Sequence, residues 1–166
     1  MKLILTLLSL LLIQSLFSQT TVNSKTYGAL EFKQLDYGLA KVVDGTIEQL
    51  STSPNGTHGW LKDFVIIKVT DSVQALHKAN FGVVYIVNAK DTFDIDVVIE
   101  WIYPKKITND KGEIFKSIKY TTKRPINIPS ASSYSLDEQY ELVKGDWQMN
   151  IYIENKRVCT KTFVLY

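Results

Sequence analysis

A single cysteine, two histidines and four prolines in 166 residues narrow what this chain can be. Cys159 has no partner for an internal disulfide, so the core must hold without a cross-link, and the thiol reads as a small buried apolar group. His58 and His77 lie far from Cys159 in sequence, and their spacing suggests neither a zinc set nor a Cys-His pair. There is no Gly-x-Ser-x-Gly elbow, phosphate-binding glycine loop or dinucleotide fingerprint. The expectation is therefore a non-catalytic protein with no cofactor and no metal. Charge of one sign is also lacking: 19 basic against 17 acidic side chains leave no excess for a phosphate backbone, which argues against nucleic acid as partner. No later segment reaches the roughly 20 apolar residues of a membrane span, so no transmembrane anchor is expected.

The one long apolar run lies at the start. Met1-Lys2 and the leucine-rich stretch Leu3 to Phe17 have the charged tip and short apolar centre of a secretory signal peptide, with Ser15 and Ser18 at the small-residue positions before Gln19. A lipid-anchored envelope protein needs a cysteine at the cleavage point, and none is there, which points to a secreted or periplasmic protein. Taking residues 1–18 from 166 leaves 148, enough for one domain over residues 19–166 with a real core.

The mature chain is organised around Phe93 to Tyr103, where Phe93, Ile95, Val97, Ile99, Trp101 and Tyr103 alternate with residues that begin Asp94 and Asp96. A period of two puts the six apolar side chains on one strand face, and Pro104 is expected to end the strand. Leu30 to Val42 reads as a first strand in which a break near Gln34-Leu35 followed by Gly38 suggests a bulge or bend, after a polar leader, Thr20 to Thr26. Ser51 to Gly59 reads as a mobile surface loop, in which Asn55-Gly56-Thr57 is a turn that also fits a glycosylation sequon. Phe64 to Thr70 is a further strand, and Phe81 to Val87 reads as a hairpin with the organising strand. Asn109 to Gly112 is a turn, Ile114 to Thr121 a strand, and Pro125 to Ser133 an irregular connection. Ser135 to Glu138 has the spacing of a capping box ahead of one helical turn through Tyr140. Trp147 to Ile153 and Arg157 to Tyr166 form a closing hairpin turned at Glu154-Asn155-Lys156.

Some seven to eight short strands with one helical turn predict an all-β, immunoglobulin-like antiparallel sandwich. Leu142 to Met149 resembles the corner before the penultimate strand of such sandwiches, with Trp147 where a tyrosine often sits. Tyr37-Gly38, Phe81 to Tyr85, Trp101-Ile102-Tyr103-Pro104, Glu141 to Trp147 and Thr162-Phe163-Val164, in that order, resemble a short bacterial family of exported domains of unknown function. The resemblance spans nearly the whole mature chain and implies a stand-alone all-β domain; it carries over no functional residue.

Two places are candidates for binding. His58-Gly59-Trp60, together with Asn55, offers an aromatic beside turn residues that can anchor a partner or stack on a sugar, while the plainer reading has Trp60 plugging an open end of the sandwich. Between Lys105 and Arg124, seven basic residues face two acidic ones, and Lys116, Lys119, Lys123 and Arg124 can hold an anionic polymer; the plainer reading is a soluble sheet edge. Asp94 and Asp96, about 6 to 7 Å apart on one strand face, have a separation used by glycoside hydrolases, although alternating aspartates are also what a solvated face looks like. The expected function is an exported binding or interaction domain of the bacterial cell envelope, with an envelope protein or polysaccharide as partner. The alternative is a carbohydrate-binding or carbohydrate-active protein using Asp94, Asp96 and Trp60.

Overall fold

The computed structural model describes residues 24–27 and 29–166; the expected leader 1–18 and the cleavage point before Gln19 lie outside them. Ten strands and one 3-10 turn are formed among the described residues: β1 (Ser24–Tyr27), β2 (Leu30–Gln49), β3 (Thr57–Lys68), β4 (Ser72–Val73), β5 (Asn80–Asn88), β6 (Asp94–Thr108), β7 (Ile114–Pro125), β8 (Ser130–Ser135), the turn Gln139–Glu141, β9 (Gly145–Ile153) and β10 (Lys156–Leu165). One five-stranded sheet runs β1-β2-β5-β8, with β3 on β2, and the other runs β4-β10-β9-β6-β7. Their apolar faces meet as a sandwich.

Alternation decides what lies between the sheets. On β6, Ile95, Val97, Ile99, Trp101 and Tyr103 are buried while Asp94 and Asp96 are exposed. Phe93 departs from the expected stripe: it precedes the strand and is 51% exposed. Trp147, Met149, Ile151 and Ile153 extend the inner face along β9, and Phe32, Phe81, Val83, Tyr85 and Val87 supply it from the opposite sheet. Phe81 is the aromatic hub, with its ring 5.5 Å from Trp101, 6.0 Å from Trp147 and 5.1 Å from Phe163. The first two contacts are edge-to-face, the arrangement that ring quadrupoles favour. Close approach of β5 to β8 needs Gly82, because a Cβ there would lie 2.3 Å from the Ser132 carbonyl oxygen.

The expected hairpin of β5 with β6 is not formed. β5 pairs with β2 and β8, and β6 with β9 and β7, so residues 89–93 carry the chain from one sheet to the other. Asn127 fastens that crossing, accepting from the Ala89 N–H and donating to its carbonyl, both at 3.0 Å. Alternation marks both strands as buried but does not name their partners. Pro104 does not end β6 either. It sits where the register with β7 slips between Ile102 and Ile107, an interruption that tolerates a missing N–H, and the φ +127° residue Gly145 packs against its ring.

Several limits move. β1 lies in the expected polar leader, β2 runs on to Gln49, and β8 takes up much of the expected irregular connection, with Ser132 and Tyr134 turned inward. The helical turn forms three residues later than expected, with Glu138 rather than Ser135 as its N-cap and a reciprocal capping box to Glu141. Two features match expectation closely. Glu154 and Asn155 both take positive φ in the β9–β10 turn, and the Trp147 indole donates to the Val143 carbonyl at 2.7 Å, the bond to upstream backbone that the corner motif implies.

Candidate functional site

Beyond Ala40, β2 leaves its neighbour β5 and continues paired with β3 alone, from Lys41 opposite Val65 to Gln49 opposite Thr57. The result is a two-stranded ribbon that lies across the side of the sandwich where the edge strands β7 and β8 face each other. Gly45 lets its strands close together, since a Cβ there would stand 1.8 Å from the Trp60 carbonyl oxygen. At the tip, the stretch expected to be a mobile loop is instead docked. Leu50 donates to Gly56 at 2.8 Å, and Asn55 Oδ1 accepts from the Ser53 hydroxyl at 2.6 Å and the Thr57 N–H at 3.1 Å. The Pro54 carbonyl accepts from the Asn109 amide and the Tyr140 hydroxyl, each at 3.2 Å, which ties the tip to the β6–β7 turn and to the 3-10 turn.

Because β3 already begins at Thr57, His58 and Trp60 are strand residues on one face of the ribbon. They meet the inward row of β7. The His58 ring lies 4.2 Å from Tyr120 and edge-on to Trp60 at 5.5 Å, and the Arg124 guanidinium stands over the Trp60 ring at 5.4 Å. Between ribbon, β7 and β8 is a cavity of about 150 Å³ walled by His58, Trp60, Trp101, Ile118, Tyr120 and Tyr134. Trp60 therefore plugs the open side and also lines a hollow behind it.

Polar bookkeeping sets this place apart. His58 Nε2, Trp60 Nε1, Trp101 Nε1, Thr122 Oγ1 and Arg124 Nε are all buried with no hydrogen-bond partner in the protein. Buried polar groups are almost always paired, and five of the six unpaired ones among the described residues belong to the ribbon, β6 and β7. Arg124 reaches only the Ala131 carbonyl, at 3.4 Å through Nη2, and no carboxylate among the described residues comes within ion-pair distance of it. Burial, helped by the positive charge of Arg124, lowers the His58 pKa and favours the neutral imidazole. The Tyr120 hydroxyl is pushed up by burial and stays protonated.

Below the cavity, Tyr103 and Tyr134 hydroxyls lie 3.3 Å apart, and Tyr134 donates to Glu141 Oε1 at 2.7 Å. Glu141 is wholly buried, and its Oε2 accepts from the N–H groups of Asp137 and Glu138, each at 2.9 Å. The carboxylate thus ties β8 to the 3-10 turn on which the ribbon tip rests.

The expected basic patch is split by the pleat of β7. Lys116, Lys119 and Lys123 are exposed, with Lys119 over the Tyr152 ring at 4.8 Å and Lys123 ion-paired to Asp96 at 3.2 Å, whereas Arg124 turns inward to Trp60. An exposed pair of that kind contributes little. Asp94 and Asp96 stand on the outer face of the sheet and Trp60 on the cavity side, so the carboxylates and the tryptophan do not share a groove. Among the described residues no three His, Cys, Asp or Glu side chains converge as metal ligands. Sequence reasoning missed Tyr120, Thr122, Tyr134, Glu141 and the indole N–H of Trp101. One signal was present: Ile118, Tyr120, Thr122 and Arg124 share a period of two, which puts the arginine in the inward phase.

A family model described as a domain of unknown function (DUF3859) matches residues 19–165. Among solved structures, an immunoglobulin-like protein from Pseudomonas aeruginosa superposes with a TM-score of 0.60 at 17% identity, covering 90% of this chain and 99% of that one. No curated protein matches the sequence.

Proposed function

The chain belongs to the family of domains of unknown function DUF3859, and from that premise we propose that it is an exported, non-catalytic binding domain of the bacterial cell envelope, acting through the cleft beneath the β2–β3 ribbon. The observation that carries this reading is the hollow of about 150 Å³ between the ribbon, β7 and β8, walled by the rings of His58, Trp60, Trp101, Tyr120 and Tyr134. A concave place lined by aromatic side chains with a few polar groups is what a binding site requires. The ribbon suits such a role because it is anchored at its base by β2 and at its tip through Pro54. The leader expected over residues 1–18 supports the envelope setting.

His58→Ala combined with Trp60→Ala is the variant that tests it. Both side chains are only half-buried, and their loss removes the contacts with Tyr120 and Arg124 and opens the hollow in front of Trp101 and Tyr134 without deleting a core side chain. Capture of a partner from envelope extract should fall at least tenfold, with a modest decrease in Tm of a few degrees, since about 1 kcal/mol shifts Tm by roughly 2 to 6 °C at this size. Undiminished capture removes the cleft as the binding site.

A further inference from the structure

We propose that the β2–β3 ribbon is a hinged strap, held down at its tip by the Pro54 carbonyl, that lifts from β7 and β8 to open the cleft. The proposal goes beyond the binding-domain reading above by saying how a partner larger than the hollow gains entry. Six side-chain polar atoms are buried without a hydrogen-bond partner among the described residues: His58 Nε2, Trp60 Nε1, Asn80 Oδ1, Trp101 Nε1, Thr122 Oγ1 and Arg124 Nε. None of them has surface that water or a ligand can touch while the ribbon is down. The docked form therefore carries the desolvation cost of all six unrelieved, which folded proteins rarely do.

All six follow the track of the ribbon. Asn80 lies opposite Ala40, the last residue of β2 to pair with β5, at the point where the ribbon departs. His58 and Trp60 are on the ribbon itself, the first against the Tyr120 ring and the second beneath the Arg124 guanidinium. Thr122, which is 3% exposed, sits between Tyr120 and Arg124 in the same phase of β7, and Trp101 walls the hollow below. Lifting the ribbon returns these groups to water, which offsets part of the packing that lifting gives up.

The attachment of the ribbon is slight and concentrated at its ends. Between Lys41 and Val65, two hydrogen bonds join it to the body among the described residues, from the Asn109 amide and the Tyr140 hydroxyl to the Pro54 carbonyl, both at 3.2 Å. At the base, the pairing of β2 with β3 slips between Leu39 and Ala40, and it slips again between Val43 and Ile47. Bulges of this kind bend a strand pair, which supplies the hinge. An element with few bonds to its surroundings opens more readily than the core that carries it. The docked hollow of about 150 Å³ is the size of a benzene ring, at about 150 Å³, whereas the lifted ribbon offers a partner the row of Trp101, Tyr120 and Tyr134.

The three tryptophans separate lifting from unfolding. The Trp147 ring is fully buried and its N–H is bonded to the Val143 carbonyl, so that proton exchanges with deuterium only when the body of the domain unfolds. In nitrogen-15 correlation spectra of the exported protein, the indole protons of Trp60 and Trp101 should exchange at least tenfold faster than that of Trp147. Ile153→Val, a core change away from the ribbon, should speed Trp147 several-fold by weakening the body and leave Trp60 and Trp101 unmoved. Tyr140→Phe removes one latch bond and should speed Trp60 and Trp101 about fivefold. Thr122→Val replaces an unpaired buried hydroxyl with a methyl group of nearly the same shape and should slow them at least threefold. The proposal is overturned by Trp101 exchange no faster than that of Trp147, by a Trp101 rate that rises with Trp147 in Ile153→Val, or by one that either ribbon variant fails to move in the stated direction. Capture from envelope extract is decided separately. If Trp101 exchanges as expected while capture is indifferent to His58 and Trp60, the strap lifts but the partner binds elsewhere; if capture depends on them and Trp101 follows Trp147, the cleft binds in its closed form.

Discussion

Trp101→Ala is expected to lower the stability of the domain by about 3 to 5 kcal/mol, measured by chemical denaturation. The indole is 1% exposed at the middle of β6, with its ring 5.5 Å from Phe81, 5.6 Å from Tyr134 and 6.1 Å from Phe163. Those neighbours come from three different strands in both sheets, so they cannot all move in to fill the space. The substitution loses the transfer free energy of the side chain and leaves a hollow continuous with the ribbon cavity, into which water can enter. Because the indole N–H makes no bond in the protein, the loss is one of packing alone. Trp101→Phe should recover much of it. A cost under about 1 kcal/mol for the alanine variant would mean that the inner face of β6 is not the packed face.

The second large effect is expected at Glu141, a residue 0% exposed that accepts from Tyr134 and from two backbone N–H groups. Glu141→Ala leaves the buried Tyr134 hydroxyl and two part-buried backbone N–H groups without their acceptor. With about 1 to 3 kcal/mol for each buried donor left unpaired, and some recovery by water in the vacated space, the net loss should be about 3 kcal/mol. The ribbon should loosen too, because Tyr140, whose hydroxyl bonds the Pro54 carbonyl, belongs to the same turn. The pH dependence has a definite sign. Burial raises the Glu141 pKa, opposed in smaller measure by its hydrogen bonds, so the folded state holds the proton to higher pH than the unfolded chain does. Its contribution to stability is complete below the unfolded value and is lost as pH rises through the folded one. The deficit of Glu141→Ala should therefore be larger at about pH 4 than at about pH 7, and the opposite trend would contradict the cause assigned to the shift.

The parts of this fold that were legible in the sequence are those where one sheet face is wet. β9 alternates Trp147, Met149, Ile151 and Ile153 with more polar residues, and a one-residue slip would expose the whole set. The β9–β10 turn was legible as well, since Asn155 readily takes the positive φ it adopts. β8 was not, because a serine-rich stretch has the composition of a loop and becomes a strand only through pairing with β5. The ribbon was hidden for a related reason. Residues 51–59 carry every local mark of a loop, yet the groups that hold them, Asn109 and Tyr140, come from turns more than fifty residues away. The site was thus half visible. His58 and Trp60 stood out by residue type and neighbourhood; their partners Tyr120 and Arg124 did not, because counting lysines and arginines along β7 ignores the pleat that sends Arg124 inward and Lys123 out.

That pleat also makes the central claim directly testable. His58 is half-buried on the cleft face of the ribbon, while Lys119 is exposed on the other face of β7. A photoreactive aromatic side chain introduced at either position, followed by irradiation in intact cells, reports which face meets a partner. Cross-linked species from position 58 and none above background from position 119 are the predicted result. Adducts from position 119 alone would place recognition on the lysine-bearing outer face and contradict the assignment of the ribbon cleft as the binding site.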